Sequence, residues 1–480
     1  MKDHPKSTGE PYNIYKDGLR VYTTIDSRLQ VNAELAMETH LQNLQKAFFR
    51  LQKQDSNPTA PFLDLELEQV EAIVERAMRS SERWRVLRSE GKTDTLIKAS
   101  FYVPTAMKVF DWNAPTRQRD TVMTPYDSIL YYKSHLRGAL MSVEPQTGHI
   151  KAWVGGVDYK HFQYDHVIQG ARQVGSTFKP FVYAAAIDQL RMSPCDRLPD
   201  VPYCVGAQRH GNLEAWCPKN SGGKYSGENI TLKYALANSI NTVTAQLIDK
   251  VGPSSVVSVV ERLGIQSQIP AVPSIALGTP DIKVFDLVSA YSTFANQGVY
   301  IAPSFITRIE DQSGNVIYQP ISETKDVFNK DIAYTMISLL KGVTESGSGV
   351  RLRHNWMVDN PVYNEVVTGY PYEFKNPIAG KTGTTQNQSD GWFMGMVPNL
   401  ATGVWVGAED RSVHFDNITY GQGATMALPI WANYMRKNYT DSIGVSADDF
   451  ARPEGLTLNL NCNESILREE KIEDLETFDF

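Results

Sequence analysis

The sequence predicts an α+β fold: one antiparallel sheet covered by helices, preceded by a smaller N-terminal linker and pedestal region. Three observations carry this. A strand–turn–strand pattern opens at Gly138, a long run of helical patterning follows, and three more strand-like runs crowd between Ile378 and Val406. A hairpin, then helices, then strands is the order of a segregated α+β domain, not of alternating parallel units. Composition supports a large core, with 42% hydrophobic and 21% charged residues. At about 150 residues per domain, a chain of this length has room for roughly three domains or one large one with appendages.

Along the chain, residues 1–17 read as a polar linker, and Leu19–Thr24 alternates like a strand. Asp26 then caps a helix running to about Gln54. A second helical stretch runs from Leu65 to about Glu90. Short strands follow at Phe101-Tyr102-Val103 and Met107–Phe110, and a short helix from Asp127 to about Leu136. Residues 1–135 group as linker and pedestal without evident chemistry. The main domain spans residues 136–440: strand Ala139–Val143, a turn at Pro145–Gly148, return strand Ile150–Val154, helices, strands Ile378–Thr384, Gly391–Val397 and Thr402–Val406, and a last helix near Pro429–Lys437. Residues 441–480 read as a tail. From Glu464 onward it holds seven acids against Arg468 and Lys471, which suits a solvated end.

Charge and cysteine content exclude several function classes. A net charge of -7, from 47 basic and 54 acidic residues, gives no general attraction to phosphates, so nucleic acid is not an expected partner. No apolar stretch approaches the roughly 18 residues of a membrane span. The polar start Met1–Lys6 is no signal peptide. The chain as written is expected to be soluble, or the soluble part of an anchored protein. Cys195, Cys204, Cys217 and Cys462 show no CxxC pairing, and the histidines, His161 and His166 among them, show no ligand spacing, so a metal site is not expected. Cys204 and Cys217 flank a Gly-containing loop and are either a disulfide or two buried thiols.

Three short motifs stand out. In Gly175-Ser176-Thr177-Phe178-Lys179, a hydroxyl and an amine three residues apart sit at the start of an apolar helix. A serine needs a base to become a nucleophile, and a lysine can be that base when burial or a nearby cation lowers its pKa. Ser-x-x-Lys also occurs at Ser89, Ser221, Ser322 and Ser338. The first, second and third of these lie in polar, loop-like runs and Ser338 in mid-helix, so only Ser176 has the right context. The second motif, Ser239-Ile240-Asn241, presents a hydroxyl and an amide in one direction only if the helix ends there; Ser-x-Asn recurs at Ser313. The third, Lys381-Thr382-Gly383-Thr384, reads as a strand of small residues, occurs once as Lys-Thr-Gly, and suits an edge that something approaches closely.

Ser-x-x-Lys, Ser-x-Asn and Lys-Thr-Gly in this order form a described set. With Gly18–Asp26, Arg172–Ser176, Trp216–Asn220 and Asp390–Phe393, the chain resembles the transpeptidase half of a class A penicillin-binding protein of the 1A type. The departure is Ile240, where the described middle residue is Asp. The resemblance implies a peptidoglycan DD-transpeptidase working through a serine acyl-enzyme, without metal or organic cofactor. Ser176 would be acylated by the penultimate D-Ala of a donor stem peptide, or by a β-lactam, with Lys179 as base. Ser239, tuned by Lys381, would pass a proton to the leaving amine. Asn241 would hold the donor amide, Thr382 and Thr384 a carboxylate, and the Ser176 and Thr384 N–H groups the oxyanion. An amine of a second stem peptide would resolve the ester. Such proteins carry a membrane anchor and a glycosyltransferase upstream. The resemblance therefore implies an ectodomain piece at the periplasmic face of the inner membrane. The rivals are a DD-carboxypeptidase or β-lactamase, and a penicillin sensor that acylates without turning over.

Overall fold

A computed structural model describes residues 4–6, 8–54, 57–355, 360–440 and 442–462. Its frame is a five-stranded sheet made of β1 (Leu136–Glu144), β2 (His149–Val154), β3 (Ala379–Thr384), β4 (Asp390–Val397) and β5 (Leu400–Ala408). The order is β3-β4-β5-β1-β2, with every neighbouring pair antiparallel. The first hairpin thus joins the last three strands edge to edge, with Ala139 opposite Trp405 and Leu140 opposite Val404.

Successive residues point to opposite faces, and here both faces are buried. Ala139, Met141, Trp392, Met394, Met396 and Trp405 face one apolar cluster. It includes residues of α2 (Lys179–Leu190), α3 (Leu232–Ala237), α4 (Asn241–Val251), α5 (Val284–Ala295) and α6 (Lys330–Ser346). Leu136, Leu140, Phe393, Val397, Val404 and Val406 face a second cluster, with α1 (Ser27–Gln54) and α7 (Leu428–Asn438). The helix placed by sequence in the pedestal therefore lies on the sheet. Gln45 of α1 fixes it there, donating to Ser134 O at 2.9 Å and accepting the Leu136 amide at 2.7 Å. Asp26 starts α1 by accepting the Arg28 amide at 2.9 Å. Arg20–Thr23 forms the expected strand and pairs with Ile306–Glu310.

The region between α1 and β1 departs from expectation in detail. The helical stretch Leu65–Glu90 is two helices, Leu67–Ser80 and Glu82–Ser89. Ser81 separates them because its extended backbone ends the first, while its Oγ accepts the Trp84 amide and caps the second. Ser89 is consequently helical rather than in a loop. Phe101-Tyr102-Val103 is not a strand. A helix capped by Thr93, Asp94–Ser100, runs into Phe101, whose ring is buried beside Trp84; local capping and burial outweigh β propensity. The hairpin Thr105–Phe110 with Gln118–Met123 follows. The next helix is Pro125–Lys133, capped by Thr124, and Leu136 already belongs to β1.

The tail is tied to the body where it is described. Its described part, 442–462, folds back on the body. Phe450 is buried in the first cluster, Lys341 pairs with Asp449 at 2.7 Å, and Cys462 forms a disulfide with Cys195. The other cysteine question resolves as a disulfide, Cys204–Cys217. The acidic run from Glu464 lies outside the described residues. Among the described residues no helix is long and apolar enough to cross a membrane. Because Phe450 anchors the tail, Phe450→Ala should cost about 3–5 kcal/mol, the usual range for emptying a buried aromatic site. Limited proteolysis should then cut within 442–462 faster than in the parent chain; unchanged cutting would show that the disulfide alone holds the tail.

Candidate active site

The three motifs come from distant segments and meet at one oxygen, Ser239 Oγ. Gly175–Phe178 is a tight 3-10 turn leading into α2. Gly175 has φ +54°, and a Cβ there would lie 2.6 Å from Thr384 O. Gly383 faces back, its own Cβ position 2.8 Å from Val174 O. What approaches the small third-motif strand is therefore the first-motif turn itself. Ser176 ends up half-buried beside β3, while Lys179, one turn on, has no exposed surface.

The second motif sits where one helix stops and the next begins. α3 ends at Ala237, Ser239 adopts left-handed backbone with φ +57°, and α4 starts at Asn241. That break turns both Ser239 and Asn241 toward Lys179, as the spacing argument required. A non-glycine residue held left-handed costs of order 1–3 kcal/mol, and such residues gather at functional sites. Lys179 Nζ donates to Ser239 Oγ at 3.0 Å, to Asn241 Oδ1 at 2.6 Å and to Ser239 O. Among the described residues, none of its hydrogen bonds goes to Ser176.

β3 supplies the third motif from the sheet edge. Lys381 Nζ donates to Ser239 Oγ at 3.1 Å and to Thr382 O at 3.0 Å. Thr382 Oγ1 lies 2.6 Å from Ser348 Oγ, and Thr384 Oγ1 accepts the Gly423 amide at 3.0 Å. The site thus gathers every residue singled out in sequence: Ser176, Lys179, Ser239, Asn241, Lys381, Thr382, Gly383 and Thr384.

The electrostatics follow from burial. Both lysines lack exposed surface. Desolvation, with the charge of Lys381 adding to it, pushes Lys179 well below the ordinary lysine value of 10.5. Desolvation brings Lys381 to about 7. Two buried amines beside one hydroxyl cannot both be charged cheaply, so each makes it easier for the other to give up a proton. Ser239 Oγ accepts from both lysines, which leaves its own hydrogen free to point into the cleft.

Two residues of the site had no role assigned from sequence. Asn220 Oδ1 accepts the backbone amides of Asn241 and Thr242 at 3.0 and 3.2 Å, capping α4 from 21 residues upstream. Its amide group donates to Asp200 at 2.7 Å, and Asp200 also accepts from Thr242 Oγ1 at 2.7 Å. The Lys219 carbonyl accepts from Asn241 Nδ2 at 2.7 Å. The Trp216–Asn220 stretch was the only sequence signal for this support. Ser348, at the end of α6, carried none. No group of three or more His, Cys, Asp or Glu among the described residues could hold a metal ion.

Comparison with known proteins agrees with this geometry. Residues 138–409 match the penicillin binding protein transpeptidase domain, and residues 57–136 the penicillin-binding protein middle domain. The chain is 30% identical over 480 residues to penicillin-binding protein 1A of Aquifex aeolicus, covering 96% of this chain and 58% of that protein. It is 34% identical over 307 residues to penicillin-binding protein 1A of Neisseria meningitidis serogroup A, covering 63% of this chain and 36% of that one. The chain therefore spans less than two thirds of the length of these relatives. In fold it is similar to penicillin-binding protein 1A from Haemophilus influenzae, with a TM-score of 0.59 at 21% identity over 88% of this chain and 67% of that one. PonA1 from Mycobacterium tuberculosis gives 0.58 at 21% identity over 92% and 90%. A second PonA1 structure, a complex with penicillin V, gives 0.52 at 21% identity over 80% and 96%. With the transpeptidase domain matched across more than half its length and its three motifs converging on one hydroxyl, the chain belongs to the penicillin-binding protein transpeptidase family.

Proposed function

We propose that the chain is the peptidoglycan DD-transpeptidase portion of a cell-wall enzyme, cross-linking stem peptides through a Ser176 acyl-enzyme. The observation that carries this is the buried Lys179, pushed well below the ordinary lysine value by desolvation and Lys381 and placed one helical turn from a half-buried serine. In the first half-reaction Ser176 Oγ bonds to the carbonyl carbon of the penultimate D-Ala while its proton moves to Lys179. The Ser176 and Thr384 N–H groups hold the oxyanion. The C–N bond then breaks, Ser239 passes a proton to the nitrogen, and D-Ala leaves. Lys381 replenishes or polarises Ser239, Asn241 holds the donor amide, and Thr382 and Thr384 take its carboxylate, with Gly383 keeping β3 close. In the second half-reaction an acceptor amine attacks the ester, its proton leaves through the same groups, and Ser176 Oγ is released protonated.

A β-lactam enters by the same first step, its ring C–N bond breaking while the ring stays attached; the penicillin V complex of PonA1 supports this reading. We place the catalytic unit at residues 136–440, with residues 1–135 as linker and pedestal and 441–480 as tail. The two disulfides favour an oxidising compartment, which suits the periplasmic face of the inner membrane.

Incubation with benzylpenicillin should add the mass of one penicillin to the chain, and Ser176→Ala should add none. A slow loss of the adduct together with peptide transfer to an added D-amino acid supports transpeptidation. Rapid loss with hydrolysed penicillin would make the chain a hydrolase, and a permanent adduct without peptide turnover a sensor.

The pH dependence has a definite sign. Lys179 must be neutral to take the Ser176 proton, and its folded-state value lies well below 10.5. Acylation should therefore rise as pH climbs through that lowered value and be level before pH reaches the ordinary lysine range. Lys179→Arg keeps a charge at every such pH and should lose about 10²–10⁴-fold in acylation rate, the span expected of a general base. An ascending limb centred at the ordinary lysine value would refute the assignment.

A further inference from the structure

The loop that follows α6 runs between the end of α3 and β3, and one of its hydroxyls touches the third motif. Gly347 packs so tightly on the end of α3 that a Cβ would lie 2.1 Å from Ala237 O. The next residue, Ser348, donates its backbone N–H to the same carbonyl at 3.0 Å. At the other end of the turn, Thr344 Oγ1 donates to Ile378 O at 2.6 Å, just before β3 begins. Ser348 is thus fixed between the residue that ends α3, two positions before Ser239, and the strand that carries Lys381. Its half-buried hydroxyl lies 2.6 Å from Thr382 Oγ1.

Two hydroxyls in contact share one hydrogen between them. Each is both donor and acceptor. If Thr382 gives its hydrogen to Ser348, it has none for a ligand. If Ser348 donates instead, Thr382 Oγ1 accepts and its own hydrogen points away from Ser348. An anion bound at Thr382 selects the second arrangement, because only there does Thr382 offer it a donor. The two bonds then polarise each other in series. Removing the Ser348 hydroxyl leaves Thr382 with a freer rotor and no upstream donor, so the effect falls on ligands that carry the anion.

We propose that Ser348 is a positioning residue for carboxylate recognition: its hydroxyl donates to Thr382 Oγ1 and directs the Thr382 hydrogen to the carboxylate of the peptide terminus or β-lactam. This rests on the reading of Thr382 as a carboxylate binder, and the test separates the two.

Second-order acylation rates are measured on the full chain with benzylpenicillin and with its methyl ester, which keeps the β-lactam and loses the anion. The readout is the acid-over-ester preference in the parent chain, Ser348→Ala, Ser348→Thr and Thr382→Val. Ser348→Ala should reduce that preference about three- to tenfold, the scale of one net hydrogen bond between neutral groups. The loss should appear in the half-saturating penicillin concentration rather than in the limiting rate, and Ser348→Thr should restore the preference. Should Ser348→Ala not fold, Ser348→Cys, near-isosteric with a weak donor, carries the same comparison. Equal losses for acid and ester would reduce Ser348 to packing and overturn the inference. So would an unchanged preference in Ser348→Ala where Thr382→Val abolishes it. If Thr382→Val leaves the preference intact, the carboxylate reading of Thr382 itself fails.

Discussion

The structure depends on the burial of two lysines around one serine hydroxyl. Lys179 and Lys381 come from a helix and a strand 202 residues apart, and both donate to Ser239 Oγ. An unpaired ammonium in such a place would be expensive, so the chain adapts by lowering the affinity of both groups for protons. The same burial that makes the site costly makes it reactive. A solvated lysine in the first motif would stay protonated at neutral pH and could take nothing from Ser176.

Keeping these groups in reach requires a stiff frame. β3 is an edge strand, yet its end is held by Asp390, which has no exposed surface. Asp390 Oδ1 accepts from Arg172 Nε at 2.7 Å and from Trp405 Nε1 at 2.9 Å, and its backbone N–H donates to Thr385 Oγ1 at 3.0 Å. One buried carboxylate therefore links the residues just before Ser176, those just after Thr384, and the sheet centre. Such a fully paired charge is costly to break on one side only. Trp392 Nε1 adds a bond to Gln173 O at 2.8 Å, again across the first and third motifs. The Asp200–Asn220 pair does the equivalent for the second motif through the start of α4.

Much of this was legible in the sequence because the relevant signals are local. The strands of the sheet could be read from short apolar runs bounded by turns and glycines, the start of α1 from Asp26, and the three motifs from spacing and glycine context. The break after α3 was stated only as a condition on Ser239 and Asn241, and left-handed backbone at Ser239 met it. What was missed is nonlocal. The return of the tail depends on Phe450 finding a gap in a distant cluster and on Cys462 reaching Cys195, 267 residues away. The placement of α1 on the sheet depends on Gln45 meeting Leu136 and Ser134. Phe101-Tyr102-Val103 failed differently: three residues of strong β propensity were outweighed by a Thr93-capped helix that brings Phe101 beside Trp84. Asn220 and Ser348 act through partners 21 and 34 residues off, with no period or motif to mark them.

On the proposed reading, the shared hydroxyl also bears on which nucleophile resolves the ester. The leaving group of the first half-reaction and the acceptor of the second are both amines, and they occupy the same side of the acyl carbon in turn. A relay that delivers a proton to the departing nitrogen can, by microscopic reversibility, remove one from an arriving nitrogen at the same place. Ser239, donor to the cleft and acceptor from both lysines, is built symmetrically for that exchange. Hydrolysis would ask the same relay to take its proton from water in place of an amine. The ionisable side chains that meet at Ser239 Oγ are two lysines whose burial weakens their hold on protons, which suits taking a proton from an arriving amine. On that reading the proton path for transfer runs through the constraint that orders the fold, two buried lysines with one hydroxyl between them.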